Sequence, residues 1–120
     1  MLDRTGREAR DSTREFPMYA VIFEVEAKDG RAPRYFELAA SLRPELEKID
    51  GFISIERFAS LSNEGKYVSL SFWRDEQAIQ TWRTHLGHQM AQREGKDSVF
   101  KDFRIRVAQV VRDYTLRDRV

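Results

Sequence analysis

At 120 residues the chain is long enough for one hydrophobic core and too short for two independent ones. Its 21 Lys and Arg nearly balance 20 Asp and Glu, and a net charge of +1 excludes a field strong enough to make nucleic acid or an acidic membrane the main partner. No cysteine is present, which excludes disulfides, thiolate catalysis and cysteine-based zinc or iron–sulfur sites, and fits a reducing cytoplasm.

Residues 1–17 carry charge at Asp3, Arg4, Arg7, Glu8, Arg10, Asp11, Arg14 and Glu15 with almost nothing apolar to bury. They read as a mobile or weakly helical arm closed by Pro17, the alternative being an arm that docks on a partner subunit. The arm lacks the apolar centre of a signal peptide, and no run approaches the ~20 apolar residues of a membrane span. The reading is a cytoplasmic protein without a membrane segment.

"MYAVIFEVE", Met18 to Glu26, is β-branched and aromatic and predicts a first strand, ended by a turn at Asp29-Gly30. The period then changes: Tyr35, Leu38, Leu42, Leu46 and Ile49 recur every three or four residues, a helical stripe that Pro33 starts and Gly51 stops. Pro44 lies inside it and predicts a kink or break near Arg43. "GFISIERFASL" and "KYVSLSFW" predict two strands joined through "SNEGK" as an antiparallel hairpin. Tyr67, Ser69 and Ser71 share a face with Trp73, polar enough to line a wet cavity or an interface.

Asp75 stands where an N-cap belongs, before a second helix whose stripe is Ala78, Ile79, Trp82, Leu86 and Met90. "FRIRVAQVVRDY" predicts the last strand, with Ile105, Val107 and Val111 on one face and Arg104, Arg106, Ala108 and Val110 on the other. The order is β-α-β-β-α-β over residues 18–116, leaving 117–120 as a short tail. That is an α+β, ferredoxin-like arrangement: an antiparallel sheet with both helices on one face. The other sheet face keeps large apolar side chains, so a second copy is expected to cover it, giving a homodimer.

In that order, five stretches resemble the antibiotic biosynthesis monooxygenase family of dimeric α/β barrels: "YAVIF", "IDGFISIE", "SFWRDEQAIQTWR", "HQMAQREGK" and "FRIRVAQVVRDY". The resemblance covers about Met18 to Leu116. It implies a cleft in each subunit between helices and sheet, where members that are enzymes oxygenate phenolic or quinol-like aromatics without metal or flavin, or bind haem and cleave it. For the haem branch Trp82 matches a stacking Trp. Gln92 stands where an iron-ligating His would be, and the first-strand Asn has no counterpart. Both departures argue against haem unless His88 takes the iron.

Stepping about 100° per residue from Ile79 puts His85 beside Trp82 at the edge of the stripe, and His88 on the far side. The resemblance favours His88, with Gln92 and Gly95, and Gly87 is expected to end the regular helix and turn His88 inward. On that reading His88 is the base or orients it, Gln92 steers a hydroxyl or carbonyl, and Trp82 and His85 border the substrate. The plain reading makes Trp82 core and lets His88 bond a loop, with Gln92 beside it.

Arg57, Arg104 and Arg106 are candidates for holding an anion, against the plainer expectation that they pair with Glu24, Glu26 and Glu56 on adjoining strands. Two His at i and i+3 with no HExxH give no metal pattern. The sequence thus points to a cofactor-independent monooxygenase acting on a small aromatic ligand. The alternatives are a non-catalytic dimer that holds a small ligand, and a haem-binding relative.

Overall fold

A computed structural model describes residues 2, 3, 5–7, 18–93 and 99–118, with side chains for 18–87, 89 and 99–118. Near the start, β1 (Leu2–Asp3) and β2 (Thr5–Arg7) pair antiparallel with each other. The rest of the charged arm lies outside the described residues.

The domain follows as β3 (Tyr19–Ala27), α1 (Ala32–Leu46), β4 (Phe52–Ala59), β5 (Lys66–Trp73), α2 (Glu76–Arg93) and β6 (Phe100–Gln109). Its strands form one antiparallel sheet in the order β4-β5-β3-β6, so the β-α-β-β-α-β chain takes the ferredoxin-like arrangement. β3 and β5 occupy the centre. Val25 and Trp73 on them are among the most deeply buried side chains, each 1 % exposed.

The apolar stripe of α1 packs Tyr35, Leu38 and Leu42 against Val25 and Val99, and Leu46 against Trp73, Ala78 and Ile79. Trp82 touches both groups, which makes it the seam of the core. Among the described residues no helix is long and apolar enough to cross a membrane.

Three local expectations change. The break expected near Arg43 does not occur: α1 runs through Pro44 to Leu46. Pro44 falls in the last turn, so the amide donor it lacks is lost close to where the helix ends, while Leu46 beyond it still gains burial. The last strand begins at Phe100 and ends at Gln109. Phe100 pairs with Ala27 across a bulge, and after the Val110 amide bonds the Met18 carbonyl no ladder holds the chain. Finally, α2 passes through Gly87 without a stop, a glycine inside a long helix costing only about 1 kcal/mol relative to alanine.

The corner where β5 enters α2 is tied to the loop before β4. The Asp75 carboxylate accepts from the Ala78 amide at 2.9 Å as the N-cap, and Arg74 forks both oxygens of Asp50 at 3.0 and 3.1 Å. Lys66 first, then Arg106, hold the Glu24 carboxyl below its usual range, Arg74 does the same for Asp50, and the Ala78 amide with Arg74 for Asp75. Between Asp50 and Phe52, Gly51 has φ +98° and its missing Cβ would lie 2.7 Å from the Ala78 Cβ.

Gly51→Ala is therefore expected to cost about 1–3 kcal/mol, read as a lower urea midpoint, because strained φ and the clash with α2 act together. The lowered carboxylates set a pH limb. Their contribution is complete above the unfolded values near 4 and fades as pH falls through the lower folded values. Urea midpoints measured from pH 6 to pH 2 should fall on the acid side, and Arg74→Ala should flatten that fall.

Candidate functional site

β5 runs beneath the helices, and on its helix-facing side the sequence alternates Tyr67, Ser69, Ser71 and Trp73. Two short side chains there, 6 % and 5 % exposed, leave a gap that the helices do not fill. The result is a cavity of about 160 Å³. Its floor is Val21, Phe23, Ser69, Ser71 and Ile55, and its roof is Leu38, Leu42, Ile79, Trp82 and Leu86. Phe100, Ile105 and Val107 close the side toward β6.

The wall carries few polar groups. Ser71 accepts a 2.9 Å hydrogen bond from the buried Trp73 indole, which fixes the corner tryptophan. Arg57, on β4, lines the cavity, donates from Nε to the Tyr35 hydroxyl at 3.2 Å and lies 5.6 Å from that ring's centre. Burial pushes the Tyr35 phenol up from its usual range, and the Arg57 charge pulls partly back. Arg43 and Arg83 also reach the wall, Arg43 already paired with Glu47.

The residues singled out from sequence are thus divided. Trp82 is on the cavity wall, as is Arg57. His85 is beside Trp82, ring centres 5.6 Å apart, but it is engaged with Glu45 of α1 at 2.6 Å and does not line the cavity. The side chains of His88 and Gln92 lie outside the described residues; the turn expected at Gly87 is absent from the helix. Arg106 is on the opposite face of the sheet, bonded to Glu24 at 2.7 Å, so it and Arg57 do not share a site. That pairing is the plain alternative for Arg106. Arg104 is on the same far face.

In the sequence Tyr35 reads only as part of a core stripe, and the structure adds it to the site. A phenol on such a stripe carries a polar tip that needs a partner, and that is the one signal that points to it. Among the described residues no group of three His, Cys, Asp or Glu comes together as a metal site. Among the described residues the wall offers iron no imidazole, thiolate or thioether, and an apolar cavity of about 150 Å³ takes a benzene ring.

The model of the family described as antibiotic biosynthesis monooxygenase matches residues 18–94. "Jasmonate monooxygenase ABM" of Pyricularia oryzae is 50% identical over 93 residues, 78% of this chain and 43% of that protein, so the chain spans less than half that relative's length. The uncharacterised protein YqjZ of Bacillus subtilis is 32% identical over 100 residues, 83% of this chain and 85% of that one. Among solved structures, the heme-degrader MhuD of Mycobacterium tuberculosis, with two hemes bound in its active site, superposes with a TM-score of 0.64. It is 18% identical, over 81% of this chain and 99% of MhuD, and that likeness is one of fold.

Ser71→Ala removes the acceptor of the buried Trp73 indole N–H. The expected cost is about 1–3 kcal/mol in urea unfolding. A loss under 0.5 kcal/mol would mean that the Trp73 bond is dispensable.

Proposed function

The chain belongs to the antibiotic biosynthesis monooxygenase family, and from that premise we propose that it is a monooxygenase whose substrate is a small, ring-bearing, largely apolar molecule held beneath the two helices. The observation that carries this reading is the cavity itself: about 160 Å³, apolar on most sides, with Trp82 on its roof. A ring of that size fits, and a longer body has to extend through the mouth.

Two substrate chemistries are compatible. A phenol or quinol supplies its own electrons. In the phenol case one atom of dioxygen bonds to a ring carbon, the ring gives up its C–H and O–H hydrogens, and these leave with the second oxygen as water, yielding a quinone. The relative named for jasmonate favours the second, a ring-bearing acid. Inserting one oxygen atom into a C–H bond of such a molecule requires two electrons and two protons from an outside reductant to release the second atom as water. In both, the walls exclude water and hold the ring, with Trp82 giving it an aromatic face.

The unit proposed is a homodimer. On the sheet face away from the helices, Ile22, Val68, Leu70 and Phe72 are only half-buried, and Phe58 is 46 % exposed. A second copy laid on this face would remove that apolar area from water.

Oxygen consumption by the purified protein tests the reading, with quinols alone and with jasmonate plus a nicotinamide reductant. Uptake that depends on substrate is expected, with kcat/KM about tenfold lower in Trp82→Ala, as befits one lost aromatic contact. Light scattering should return twice the 14.2 kDa chain mass. Ligand binding with no uptake under any condition would instead make the protein a binding module.

A further inference from the structure

Three polar side chains of the cavity wall meet in one corner. Arg57 of β4 and Ser69 of β5 are register partners on the same sheet face, and Tyr35 reaches Arg57 from α1. Ser69 is 6 % exposed and lines the cavity, yet its hydroxyl has no hydrogen-bond partner among the described residues. The Arg57 Nη atoms have neither a hydrogen bond nor an ion pair among those residues. Among the described residues no Asp or Glu stands on the wall to balance Arg57. A buried hydroxyl without a partner is rare, and a guanidinium in an apolar cavity lacks its counter-charge.

We propose that the ligand of this cavity carries a carboxylate, bound in the corner formed by Arg57, Ser69 and Tyr35 while its apolar body fills the space under Trp82. This rests on the cavity being the substrate site and not on the oxygenation. Arg57 spends Nε on Tyr35 and presents its two Nη groups, a fork that matches the two oxygens of a carboxylate. The Tyr35 oxygen accepts from Arg57, which leaves its own proton free to donate, and Ser69 supplies another donor.

Charge state decides between a carboxylate and a phenolate. A carboxylic acid, with a pKa of about 4, arrives ionised at neutral pH, whereas a phenol near 10 has to be deprotonated in place. Among the described residues the wall has no imidazole or carboxylate to do it. The corner is built to receive an anion rather than to make one. Arg83, also on the wall and without an ion-pair partner among the described residues, adds positive potential along the approach.

The test is calorimetric titration at pH 7 with jasmonic acid and with its methyl ester, which share one body and differ in one charge. The wild-type protein is expected to bind the acid at least about tenfold more tightly. Arg57→Gln should weaken the acid about 10- to 100-fold and leave the ester within about threefold, the retained ester binding showing that the variant is folded. Ser69→Ala and Tyr35→Phe should each weaken the acid about three- to tenfold, and they read the same preference if Arg57→Gln does not fold. Equal binding of acid and ester by the wild-type protein, or equal weakening of both by Arg57→Gln, overturns the assignment. Failure of both ligands to bind overturns it together with the choice of cavity. An Arg57-dependent acid preference without oxygen consumption leaves it standing and removes the monooxygenase reading.

Discussion

The site depends on a constraint in the middle of the sheet: β5 must run under both helices, and it carries serine where a packed core would carry leucine or valine. Ser69 and Ser71 stand between Tyr67 and Trp73 on one face of this central strand. Large residues at those two positions would interdigitate with Leu42, Trp82 and Leu86 and leave no room. The short side chains that open the space are hydroxyls, so the opening and its polarity have one origin. Ser71 is satisfied within the chain by Trp73, whereas Ser69 has no partner among the described residues. The first anchors the scaffold, and the second is available to a guest.

Around that strand, two of the stretches that carry the family likeness have a structural role. "IDGF" and "WRDE" meet at one corner, where Arg74 grips Asp50, Phe52 packs edge-on to Trp73 at 5.3 Å, and the Gly51 backbone passes tightly against Ala78. Together they set where α2 begins. The position of its first turn then fixes Trp82 two turns later as the roof of the cavity. This is why the motifs report fold well and chemistry poorly. A protein 18% identical, such as the heme-degrader, shares the arrangement, and a likeness of fold at that identity carries no chemistry with it.

What was legible in the sequence follows the same division. Strand alternation, the α1 stripe, the hairpin at "SNEGK" and the Asp75 cap are local patterns with a fixed period or chemistry, and they survive folding unchanged. Arg57 and Arg106 could not be sorted that way. Parity gives the two faces of one strand, but which face meets the helices depends on register between strands, and the shift between Phe52 and Ser54 alters it in β4. His85 is a second case. Its geometry on the helix puts it beside Trp82 as expected, but its partner Glu45 lies 40 residues away on another helix. No single-helix projection shows that contact. Tyr35 was hidden because a stripe of apolar spacing makes an aromatic look like core.

The two arginines also show what such register decides energetically. On the outer face Arg106 meets Glu24, which Lys66 also contacts, and a paired surface cation of this kind contributes little to stability. On the inner face Arg57 has, among the described residues, only a phenol as partner, in surroundings that are largely apolar. Holding an unpaired cation there opposes folding, because charge partly removed from water is not repaid by attraction within the chain. A domain tolerates such a group when an occupant supplies the missing charge, and by linkage any occupant that does so stabilises the folded state in proportion to its affinity and concentration. Arg57 is in that sense a cost carried by the empty fold and recovered on binding, whereas a hydrophobic residue at the same register position would make a more stable protein with nothing to hold an anion.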